Sequence, residues 1–145
     1  MAQRDYLLRM IEQMGQVLIR LRKMLAGGRP GGPRFRQEFD DAASQFGIRP
    51  ALLRDATPET LAMLFAPTVD PSRCWLAAEL LFLEGIEAEA DARADDAVAA
   101  FGKARLLFRL IEPAGAMLTG WPEAAQRIAE LNRRLAALGA AEDTS

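Results

Sequence analysis

A chain of 145 residues, half of them apolar and with a formal net charge of −2, is long enough to bury one core and too apolar to remain disordered. It contains no histidine and a single cysteine, Cys74. Ser-His or Cys-His catalysis, a four-ligand zinc site and an internal disulfide are therefore excluded within one chain. Ala, Leu, Glu and Arg dominate while Val, Ile, Thr and Tyr are scarce, a balance that favours helix over strand.

The first helix is expected over residues 3 to 26. Leu7, Met10, Met14, Val17, Leu21 and Met24 recur at alternating spacings of three and four, and Ile11, Leu18 and Leu25 widen that stripe. "GGRPGGP" then breaks the helix into a mobile loop. "RFRQEFDDAASQFG" resumes, with Phe35, Phe39, Ala42, Ala43 and Phe46 on one side and Gly47 as its stop. A short helical turn over 50 to 55 precedes "TPETLAMLF", which starts with Thr57 as N-cap and Pro58 at the first position. "DPSRCWLAAELLFLEGIEAEA" repeats that device with Asp70 and Pro71, and Cys74 beside Trp75 reads as an inert core thiol. A turn near residues 91 to 94 leads into "DDAVAAFGKARLLFRLIE", whose acids stack in the first turn. The last helix begins at Pro122 and stops at Gly139. Ile128, Leu131, Leu135 and Leu138 form its inner stripe, and Gln126, Arg127, Glu130, Arg133 and Arg134 are expected to face water. The expectation is an all-α domain over residues 1–139, followed by a disordered tail over 140–145.

Gly85, Ala97, Phe101 and Ala104 fall at relative spacings of 0, 12, 16 and 19. Two antiparallel helices approach closely only where Gly or Ala removes a side chain from the seam, and an aromatic then fills the gap to the next helix. This pattern resembles the tetratricopeptide repeat, which places small, small, large aromatic and small residues at these positions. The consensus Trp, Leu and Tyr of the repeat's first helix read here as Leu81, Glu84 and Ala88. The resemblance implies antiparallel helical hairpins of a degenerate repeat type, about six helices in all. Phe35, Phe39 and Ala42 offer a second, looser copy whose inter-helix loop is longer than the repeat uses.

The opening "YLLRMIEQMG" also resembles the start of an uncharacterised bacterial family of small helical proteins. The matching residues are Tyr6, Leu7, Arg9, Ile11, Glu12 and Gln13. That likeness implies a bacterial helical-repeat fold and no activity.

Three functions are open to such a chain. The first is a non-enzymatic scaffold for protein–protein interaction or self-association. Leu8 and Ile19 lie outside the main stripe of the first helix, so that helix is either buried within the monomer or paired with another chain, as in a homodimer. The second is anion or nucleic-acid binding through segment 20–36, where Arg20, Arg22, Lys23, Arg29, Arg34 and Arg36 occur with no acid between them. Against it, the sequence pI is about 5.3 and no nucleic-acid motif is present, and cations near a helix C-terminus also complement its dipole. The third is an enzyme built on the carboxylates of "EGIEAEADARADD", which lack the ligand alternation of a calcium loop and read as helix-end residues. No catalytic residue, cofactor or metal ligand is expected. With no apolar run of membrane-spanning length, and Arg4, Asp5, Arg9 and Glu12 interrupting the N-terminal stretch, the expected location is cytoplasmic with no membrane partner.

Overall fold

The helix starts follow from local chemistry. Pro stands in the first turn of four helices, and the Thr57 and Asp70 side chains accept from the backbone N–H groups of Thr60 and Arg73, three residues on. The computed structural model describes residues 2–66, 70–112 and 122–139. Its helices are α1 (Ala2–Met24), α2 (Gly32–Gln45), α3 (Pro50–Asp55), α4 (Pro58–Leu64), α5 (Pro71–Ala90), α6 (Ala94–Ile111) and α7 (Ala124–Ala137). No strand occurs among the described residues, and the fold is all-α. The tail expected to be disordered, 140–145, lies outside the described residues.

Apolar groups from all seven helices join one core. Its axis is α5, buried on every side from Cys74 to Leu83, as befits a helix apolar all round. α6 packs along α5 more extensively than any other pair of helices, α7 and α4 lie on α6, and α1 and α2 cover another side of α5.

Two helices stop in the same way. At the end of α2 the Ile48 N–H donates to the Ala43 carbonyl and the Gly47 N–H to the Ser44 carbonyl, with Gly47 at φ 76°. At the end of α5 the Arg93 N–H donates to Ala88 and the Ala92 N–H to Glu89, but the left-handed residue is an alanine, Ala92, at φ 59°. Both are Schellman stops, a conformation that favours glycine.

Two expectations require correction. The "GGRPGGP" stretch is tethered: the Gly31 N–H donates to Glu87 Oε2 at 2.6 Å, and Arg93 Nη2 donates to Glu87 Oε1 at 2.7 Å. A carboxylate that satisfies an otherwise exposed backbone N–H anchors that segment to α5. Arg127 does not face water. It is buried against α5, where Glu79 holds its guanidinium through Nε–Oε1 (2.7 Å) and Nη2–Oε2 (3.0 Å).

Candidate docking surface

α1 presents two unlike faces. Met14, Leu18 and Leu21 point into the core, whereas Leu8 is 51% and Ile19 47% exposed on the outward side. Asp5, Glu12, Gln16 and Lys23 are exposed around them. The two residues that sequence reasoning set outside the main stripe are thus brought onto solvent. Tyr6, also exposed, lies with Met10 and Phe46 along a depression of about 440 Å³ between α1 and the end of α2. A further apolar spot, Met63 and Leu64 at the end of α4, was not anticipated, because a short helix between two prolines gives too few residues to fix its inner face.

The basic segment curls around the α1–α2 corner. Arg20 reaches Glu38 at 3.5 Å across the surface, and Arg36 lends its charge to Glu84. Lys23, Arg29 and Arg34 are exposed and have no ion-pair partner among the described residues.

The four repeat-packing residues, Gly85, Ala97, Phe101 and Ala104, are all buried in the α5–α6 seam. A Cβ at Gly85 would overlap the Phe101 ring, which itself lies 6.1 Å from the Phe82 ring. They form scaffold, not surface.

A polar cleft lies between α2, α3, α5 and α6. Two adjoining cavities of about 260 and 370 Å³ share Arg36, Arg54, Glu84 and Arg93 in their walls. Arg54 sits 5.3 Å over the Phe39 ring, donating to Asp40 at 2.6 Å and Glu84 at 3.1 Å. Lys103 Nζ donates to the Leu53 and Arg54 carbonyls at 3.1 and 2.7 Å, closing the C-terminal end of α3. Burial pushes the Glu84 carboxyl above its ordinary range, with Arg54, Lys103 and Arg36 offsetting part of the rise. Burial likewise lowers the Lys103 ammonium, against the pull of Glu84 and Asp55. Arg54 is paired with Asp40 and Glu84, and Lys103 with backbone carbonyls, so the cluster braces α2, α3, α5 and α6 against one another.

The acidic stretch resolves in the same sense. Glu87, Asp91 and Asp96 converge on the guanidinium of Arg93 at 2.7, 2.9 and 3.0 Å. Cys74 is fully buried beside the Leu107 carbonyl, and burial, reinforced by Asp70, pushes its thiol up to about 12. A thiol so placed is no nucleophile at neutral pH. Among the described residues no helix is long and apolar enough to cross a membrane. Compared with known protein families, curated proteins and solved structures, the chain matches none.

Proposed function

We propose that this protein is a non-enzymatic helical scaffold that associates with other protein chains through the outward face of α1. The observation that carries the reading is the half-exposure of Leu8 and Ile19 on a helix whose opposite face is core. The resemblance of the α5–α6 spacing to a tetratricopeptide repeat supports it, since stacked hairpins expose grooves and end helices to partners. The internal pairing of charges in the polar cleft supports it too, because such groups hold helices in place instead of acting on a substrate.

Leu8→Glu combined with Ile19→Glu tests this. The variant is expected to keep its helical circular dichroism and to lose association, read as a change in mass and in capture of protein from a nuclease-treated lysate. Loss of helical signal instead would make this face core and overturn the reading.

A second reading rests on Lys23, Arg29 and Arg34, three exposed cations with no ion-pair partner among the described residues. It assigns the α1–α2 corner to an anion such as nucleic-acid phosphate, with affinity falling steeply as salt rises. Flat binding to RNA and DNA at low salt would dispose of it.

A further inference from the structure

We infer that residues 26–31, between α1 and α2, form a hinged strap latched by Glu87, and that the α5–α6 turn governs the latch through Arg93. Residues 26–30 are all exposed, so no buried side chain holds this segment down. The Gly31 N–H donates to Glu87 Oε2 at 2.6 Å. Among the described residues no other hydrogen bond joins residues 26–31 to an element beyond the neighbouring α1 and α2. Gly27 and Gly28, at φ 76° and 73°, give the strap its hinge.

The latch also stands in for a helix cap. Gly31 is the N-cap of α2 and has no side chain to offer the first turn. Buried Glu87, 56 residues away, accepts from the N-cap N–H as a glutamate three residues on does in a capping box. Release of that bond therefore frays the start of α2 as well as freeing the strap. Gly32 and Pro33 form one side of the 370 Å³ cavity, and Arg29 and Arg34 carry two of the exposed cations at the α1–α2 corner. Opening moves that side of the cavity and those cations together.

Arg93 does not touch the strap, yet it sets the latch. Its Nη2 donates to Glu87 Oε1 at 2.7 Å, while Nε and Nη1 donate to Asp91 at 2.9 Å and Asp96 at 3.0 Å. A guanidinium engaged on three sides has one orientation, and it turns the other oxygen of Glu87 toward Gly31. Arg93 is thus a positioning residue, and the turn that carries it is coupled to a segment on the far side of α2.

Native-state hydrogen exchange on the full chain tests this at the Phe35 amide, which donates to the Gly31 carbonyl and not to Glu87. In the wild type this amide is expected to exchange through a local opening that low urea does not accelerate, unlike amides of the α5–α6 seam. Glu87→Ala is expected to raise that rate by about tenfold to a hundredfold, the range for losing a bond to a charged acceptor. Arg93→Gln, a change at a half-exposed side chain, is expected to raise it by about twofold to fivefold. On the Glu87→Ala background Arg93→Gln should add nothing, because the relay is already cut. A Phe35 amide that shares the urea dependence of the seam would overturn the hinged strap, since the segment would then open only with the whole protein. An unchanged rate in Glu87→Ala would overturn the latch. Equal effects of Arg93→Gln with and without Glu87 would overturn the relay.

Discussion

The guanidinium of Arg127 lies 4.5 Å over the Phe82 ring while Nε and Nη2, along one edge, donate to the two oxygens of Glu79 at 2.7 and 3.0 Å. The two side chains are 5% and 3% exposed, so this ion pair ties α7 to the central helix in surroundings from which water is excluded. Desolvation consumes most of its Coulomb attraction, but removing one partner strands the other charge. Arg127→Ala is expected to destabilise by about 3–5 kcal/mol, whereas Glu79→Leu together with Arg127→Met should recover most of that loss. Urea titrations of the three chains decide it, and a single substitution costing under about 1 kcal/mol would show that water reaches the pair.

This pair also shows where sequence and structure part. Arg127, Leu131 and Leu135 stand four residues apart on one face of α7, beside Ile128, so Arg127 continues the inner stripe by position. Residue type overruled position, because arginine is almost never fully buried without a partner, and nothing local announces a partner 48 residues away. The glutamate in the apolar run of α5 was the available signal. Helix type, the Thr57 and Asp70 caps and the position of Leu8 and Ile19 off the main stripe of α1 were legible, because each depends on neighbours within one or two turns; whether that second face is buried or open was not. The Gly31–Glu87 tether, the brace around Arg54 and the left-handed Ala92 were not. They depend on which helices meet or on how a turn closes.

Gly85 and Phe101 form the second test. The Phe101 ring is fully buried and occupies the space a side chain at Gly85 would need. Gly85→Ala gains about 1 kcal/mol in helix propensity, yet overpacking should outweigh this, for a net loss of about 1–2 kcal/mol. Phe101→Ala should cost about 3–5 kcal/mol through cavity formation. In the Phe101→Ala background the sign for Gly85→Ala should reverse, since the clash is gone and only the propensity gain remains. A double-mutant cycle reads this coupling directly, and additive effects would place the ring elsewhere.

Ala92 closes α5 in the conformation that Gly47 adopts at the end of α2. An L-residue there carries about 1–2 kcal/mol of strain, partly offset by the smaller entropy its chain loses on folding. Ala92 is exposed, so its methyl group has little packing to lose. Ala92→Gly is therefore expected to stabilise the protein by about 0.5–1 kcal/mol, seen as a higher denaturation midpoint. A lower midpoint would mean that the turn relaxes out of the left-handed region in solution.

Glu84 gives a pH dependence opposite in sign to that of a typical paired carboxylate. It projects from α5 toward Arg54 of α3, Lys103 of α6 and Arg36 of α2, with Asp40 and Asp55 also bearing on those cations. Burial outweighs the cations and raises its pKa above the unfolded value. Across the interval between the two values, the native state holds more protons than the unfolded chain. Stability therefore falls as pH rises through that interval and is greater below it. Glu84→Gln removes this contribution while keeping the shape of the side chain, though it also weakens the bond to Arg54. The difference in unfolding free energy, variant minus wild type, is thus expected to shift toward the variant as pH rises above the ordinary carboxylate range of about 4. A drift toward wild type over the same range would mean that Arg54, Lys103 and Arg36 together outweigh desolvation, so that the brace stabilises the charged carboxylate instead of tolerating it.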